Sequence, residues 1–163
     1  RDLKTGKALA YTCYQMYART KTGLSAEYVH FQTNETYKTD DHEKPIRDFT
    51  TPSDSPFYIL RPEAVESFFI LYTLTKDPVY RDWGWEVFQA IEGHCRVDGG
   101  YASVSDVEQP FRPPMDKMES FFLAETLKYL YLLMDPDHGI DILNEHVFNT
   151  EAHPLRRLDA MEN

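Results

Sequence analysis

Apolar and aromatic positions along this chain recur at helical rather than alternating spacing, which predicts helices joined by irregular loops. Over residues 3–19, Ala10, Cys13, Tyr14, Met16 and Tyr17 fall near one helical period, and Thr22-Gly23-Leu24 ends the element. Residues 32–58 are polar, carry Asp40-Asp41, Pro45, Pro52 and Pro56, and read as a long surface excursion. A helix is predicted over residues 62–75, with Pro62 at a first position where its missing N–H is not needed. Asp77-Pro78 starts another, in which Val79, Trp83, Val87, Phe88 and Ile91 recur before Gly93. Gly99-Gly100 marks a turn. Pro113-Pro114 precedes a further strong helix over residues 115–134, ended by Asp135-Pro136. The segment 147–154 has the β-branched and aromatic content of a short strand or hairpin.

One run recurs. Glu66-Ser67-Phe68-Phe69-Ile70-Leu71-Tyr72-Thr73-Leu74 resembles Glu119-Ser120-Phe121-Phe122-Leu123-Ala124-Glu125-Thr126-Leu127, and the same offset before Glu66 lands at Cys13. Each period holds a helix that is apolar nearly all round, and such a helix is buried on several sides. The helix between the two copies is more amphipathic. The alternation predicts an all-α toroid with buried inner helices and amphipathic outer ones, with a plain helical bundle as the competing reading. The chain supplies too few helix pairs to close such a ring, so it reads as part of a larger barrel. Its buried helices are then expected to show apolar faces that other segments cover.

Composition narrows the partners. The 163 residues carry a formal net charge of −10, which disfavours duplex nucleic acid and anionic membranes. A neutral or cationic ligand, or a hard metal ion, fits better. No apolar run is long enough to span a bilayer. The two cysteines, Cys13 and Cys95, form neither a disulfide framework nor a metal-ligand pair. Asn34-Glu35-Thr36 is an N-glycosylation sequon, and it points toward the secretory pathway.

Three places carry candidate chemistry. Glu63 and Glu66 lie one turn apart at a helix start, beside Arg61, which can pair with a carboxylate. Acids in a first turn also complement the helix dipole, so an ordinary surface turn is the competing reading. Phe121 and Glu125 lie four apart in an otherwise apolar helix. An aromatic plane beside a carboxylate suits a sugar, whose C–H face covers the ring while its hydroxyls meet the acid, but on this pair alone a core Phe beside a solvent-facing Glu is the stronger reading. Thr150, beside Glu151, can offer its carbonyl and hydroxyl oxygens to calcium, although no EF-hand spacing is present and an ordinary strand is the competing reading of the pair. His94 and His153 have no catalytic partner at a diagnostic spacing and read as structural.

These residues resemble the C-terminal signatures of class I α-1,2-mannosidases, glycoside hydrolase family 47. The resemblance rests on the stretches 61–67, 116–130 and 147–154, on Tyr80-Arg81-Asp82-Trp83-Gly84-Trp85, and on Thr22-Gly23-Leu24-Ser25-Ala26-Glu27, where Ala26 replaces the usual proline. It implies the C-terminal part of an (αα)7 barrel, with a short C-terminal β hairpin plugging the barrel. It also implies Ca2+-dependent, inverting hydrolysis of terminal α-1,2-linked mannose in high-mannose N-glycans. By resemblance, Glu63 is the general base and Thr150 supplies the direct protein ligands of Ca2+. Glu27, Glu66, Glu125 and Glu151 hold the metal's waters and the sugar hydroxyls, Arg61 orients the cluster, and Phe121 lies under the mannose ring. The general acid, the disulfide partner of Cys13 and the residue setting branch preference are expected in the N-terminal portion of the same enzyme, leaving Cys95 free. The chain alone is therefore expected to be inactive. The family implies the ER–Golgi lumen or secretion. A mannosidase-like lectin or glycoprotein quality-control protein is the alternative reading.

Overall fold

The computed structural model describes residues 1–32, 48–135 and 137–158. Asn34 lies outside the described residues. Among the described residues four α-helices carry the fold: α1 (Asp2–Ala18), α2 (Glu63–Thr75), α3 (Val79–His94) and α4 (Leu127–Met134). Three two-stranded antiparallel hairpins decorate them. They are β1 (His30–Phe31) with β2 (Phe49–Thr50), β3 (Arg96–Val97) with β4 (Gly100–Tyr101), and β5 (His146–Phe148) with β6 (Pro154–Arg156).

α2 is the central helix, packed against α1, α3 and α4. Val65, Phe68, Phe69 and Leu71 are all buried, as a helix apolar nearly all round requires. α3 buries one stripe, Tyr80, Gly84, Val87 and Ile91. Gly84 is what lets α3 and α4 approach: a Cβ there would collide with the Leu133 side chain. Trp83 stacks on Tyr14 with ring centroids 4.6 Å apart and meets Phe68 and Tyr80 edge-on, tying α1, α2 and α3 together. The helix ends are held by long-range partners as well. Arg81 of α3 donates to the Met134 carbonyl at the C-terminus of α4, at 2.9 Å.

Two expectations are corrected. The helix predicted over residues 115–134 starts only at Ser120. Met115 and Lys117 instead pair with Ser103: Met115 N–H donates to the Ser103 carbonyl at 2.7 Å, and Ser103 N–H to the Lys117 carbonyl at 2.9 Å. Backbone groups satisfied across the chain no longer need helical partners. The helix then opens with a π turn, Phe122–Thr126, before α4. The excursion over residues 32–58 is not wholly superficial either. Ser55 and Tyr58 are buried, because Tyr58 exchanges both backbone hydrogen bonds with Val104, at 2.8 and 2.9 Å.

The repeat is reproduced only in part. Phe69 and Phe122 are equivalent and both fully buried. Phe68 is buried while its counterpart Phe121 is only half-buried. Apolar side chains remain exposed on several helices, among them Leu9, Tyr11, Ile70, Trp85 and Tyr131. Cys13 and Cys95 are not joined to each other. Cys95 is fully buried, and burial pushes its thiol up to about 12.

Candidate active site

The site begins at Leu60. This residue is fully buried and holds a left-handed backbone, φ 67. A branched side chain avoids that region unless its surroundings impose it. Here the Thr126 hydroxyl, from the π turn, donates to the Leu60 carbonyl at 2.6 Å. The reversal delivers Arg61-Pro62-Glu63 to the N-terminus of α2. Pro62 stands at the helix boundary, and its carbonyl accepts the Glu66 N–H at 2.9 Å.

Arg61 organises the acids around it. Its Nε donates to Glu27 Oε1 at 2.7 Å, and Nη2 reaches the same oxygen. Its Nη1 lies 3.7 Å from Glu63 Oε1. Its guanidinium sits 5.8 Å from the centre of the Phe121 ring. The hydrogen bond to Glu27 holds the arginine more firmly protonated against burial, and the charges of Glu27, Glu63 and Glu119 add to that hold. The Glu63 side chain is 64% exposed, so its carboxylate meets water while staying beside a cation. A cleft of about 140 Å³ opens here between α1 and the start of α2, with Tyr17, Glu27, Tyr58, Arg61 and Glu63 on its wall.

Glu66 lies one turn further along α2, and its Oε1 accepts the Tyr129 hydroxyl at 3.0 Å. That bond fixes the carboxylate from the side of α4. Burial and the adjacent carboxylates Glu66 and Glu125 raise the Tyr129 phenol far above its ordinary range, so it remains a donor. Glu125 projects from the π turn. Its carboxyl is raised by burial first, then by Glu151, Glu66 and Glu63, with Lys128 opposing. Those influences bring the acids of three separate segments into one field. A single π turn inside an α-helix is frequently a functional feature, and here it carries Glu125 and lies beside Phe121.

Thr150 and Glu151 form the tip of the β5–β6 hairpin, in the turn between Phe148 and Pro154. The pair was expected within a strand or hairpin, and it is the turn that displays it. Both are exposed, and the Thr150 hydroxyl makes no hydrogen bond among the described residues. Asn149 shapes the turn: its Oδ1 accepts the N–H groups of Glu151 at 3.0 Å and His153 at 2.9 Å. Phe148 packs on Phe69 and Tyr129, seating the hairpin against α2 and α4.

The structure thus brings Glu27, Arg61, Glu63 and Phe121 into one group. Glu66, Glu125 and Glu151 share a second field that overlaps the first through Glu63. Among the described residues no three His, Cys, Asp or Glu side chains converge closely enough to ligate one metal directly. Sequence reasoning missed Leu60, Thr126, Lys128 and Tyr129. Lys128 could have been noticed as a lone cation in the apolar run Leu127-Lys128-Tyr129-Leu130, and Tyr129 as the residue four beyond Glu125. Nothing local marks Leu60 or Thr126.

The chain belongs to glycosyl hydrolase family 47, whose sequence profile matches residues 1–157. It is 49% identical over 151 residues to a rat endoplasmic reticulum mannosyl-oligosaccharide 1,2-alpha-mannosidase, covering 91% of this chain and 22% of that protein. The human enzyme of the same description is 48% identical over 156 residues, covering 94% and 21%. Among solved structures, the alpha-1,2-mannosidase from Trichoderma reesei superposes with a TM-score of 0.77 at 34% identity, covering 91% of this chain and 32% of that one. The chain therefore spans about a fifth of the length of the rat and human relatives.

Proposed function

We propose that this chain is the C-terminal part of an inverting α-1,2-mannosidase that trims terminal α-1,2-linked mannose from high-mannose N-glycans in the secretory pathway. In this reading Glu63 is the general base. The observation that carries it is the solvent-accessible Glu63 carboxylate, held at a helix N-terminus beside the Arg61–Glu27 pair. A base must meet water. The opposing acid, about 6.5–9.5 Å away in an inverting enzyme, belongs to the N-terminal portion of the same enzyme. Closure of the (αα)7 barrel depends on that portion too, and covers the apolar side chains left exposed on α1, α2 and α3. The β5–β6 hairpin plugs one barrel end.

The residues present fit a hard cation. Thr150 offers its carbonyl and its unengaged hydroxyl, both oxygen ligands of the kind calcium takes. Burial first, and then the charges of Glu151, Glu66 and Glu63, raise the Glu125 carboxyl, so the acids of α2, the π turn and the hairpin tip act on one another there. Thr150 would hold the ion directly, and Glu27, Glu66, Glu125 and Glu151 would accept hydrogen bonds from its waters and from sugar hydroxyls. When bound, Ca2+ supplies a fixed charge that orients hydroxyls and water. Phe121, its ring half-exposed beside Arg61, offers an apolar face to the mannose ring.

The test is release of mannose from a high-mannose glycan by the complete protein. Glu63→Gln should lower kcat by roughly 100-fold or more while glycan binding persists. Full turnover in Glu63→Gln ends the base assignment. Glycan binding without turnover in the unaltered protein favours a lectin.

A further inference from the structure

We propose that Lys128 is a positioning residue that holds the Thr150-Glu151 tip in place for a cation, an inference that rests on the calcium reading above. Lys128 stands at the start of α4, one turn after Glu125 on the same helix face. Its Nζ donates to the Ala152 carbonyl at 2.8 Å. Ala152 is fully buried and left-handed, φ 53, a conformation that persists in a non-glycine residue only where its surroundings hold it.

Among the described residues, the other hydrogen bonds of the tip do not anchor it to the helices. Asn149 accepts from Glu151, Ala152 and His153 and donates to the His153 carbonyl, so all four of these bonds travel with the hairpin. Phe148 seats the base of the hairpin on Phe69 and Tyr129 by apolar contact. The Lys128 bond lies at the tip itself, two residues from Thr150. It joins the segment carrying Thr150 to the helix carrying Glu125, and so sets their separation.

The charge of Lys128 makes the idea testable by sign. An ammonium beside a cation site repels the cation, so a lysine acting only as a charge weakens calcium binding. A lysine acting as a tether strengthens it, because a preset ligand loses less freedom on binding. Removing the side chain therefore moves affinity in opposite directions under the two roles.

The experiment titrates Ca2+ into the chelator-treated complete enzyme by calorimetry, comparing wild type, Lys128→Met and Lys128→Arg. Lys128→Met should bind Ca2+ about tenfold more weakly, the scale typical for outer partners of metal ligands. Lys128→Arg, which keeps a donor of similar reach, should recover most of that loss. Hydrogen exchange at the Glu151 and Ala152 amides of the calcium-free protein should be faster in Lys128→Met. Equal or tighter Ca2+ binding in Lys128→Met, with unchanged exchange, overturns the proposal. If Lys128→Met does not fold, Lys128→Gln, too short to reach Ala152, is read the same way. A wild-type enzyme that takes up no Ca2+ refutes the calcium reading, and the exchange comparison then still decides whether the tether exists.

Discussion

The Thr126 hydroxyl donates to the Leu60 carbonyl at 2.6 Å, joining positions 66 apart in the chain. One end of that bond is a π turn and the other a left-handed residue, and both conformations are locally unfavourable. Each holds the other. Arg61 and Glu63 follow one side of it, while Phe121 and Glu125 flank the other, so the bond couples the two halves of the site.

Thr126→Val keeps the shape of the side chain and removes the donor. The Leu60 carbonyl is then left without its hydroxyl partner in the core, at a cost of about 1–3 kcal/mol. Thermal unfolding of the complete protein should show the loss. A melting temperature equal to wild type would mean that Leu60 is held by other contacts.

The pH behaviour of Glu125 has a definite sign. Its carboxyl is raised from the ordinary value of 4.5, by burial first and then by Glu151, Glu66 and Glu63. The folded protein therefore binds this proton more tightly than the unfolded one, and stability falls as pH rises from 4.5 through the raised value. Below that window the group is protonated in both states and contributes nothing. Glu125→Gln should accordingly raise the melting temperature of the calcium-free protein at about pH 7 and leave it unchanged at about pH 3. Added Ca2+ should stabilise wild type more than the variant. Equal melting of the two at neutral pH, with chelator present, would count against the crowded-carboxylate account.

Gly84 allows the close crossing of α3 and α4, since a Cβ there meets the Leu133 side chain. Gly84→Ala should destabilise the fold by about 1–3 kcal/mol, despite the better helix propensity of alanine. Urea unfolding measures it, and Leu133→Ala in the same background should give back part of the loss. A Gly84→Ala protein as stable as wild type would show that α4 can shift without cost.

Periodicity, with proline and glycine marking the ends, placed α1, α2 and α3 within a residue or two, because burial of one face repeats every turn of a helix and needs no partner to be visible. The hairpin of β5 and β6 was legible in part, as a short strand or hairpin over residues 147–154, from its β-branched and aromatic content. The candidate acids, Arg61, Phe121 and Thr150 were legible as residue types at suggestive spacings, made specific by their likeness to a family. The start of the last helix was not legible. Residues 115–119 have an apolar pattern that continues into the helix, and only the pairing of Met115 and Lys117 with Ser103 removes them from it. The π turn, the left-handed Leu60 and Ala152, the Tyr129 bond to Glu66 and the Lys128 bond to Ala152 were equally hidden. Each depends on a partner 24 to 66 positions away or on a backbone state that packing must impose. Residue chemistry and helical period are local and survive in a string of letters. The aim of each side chain is set by what the folded chain puts opposite it, and for the carboxylates of this site that was decided by the meeting of α2, the π turn and the hairpin tip.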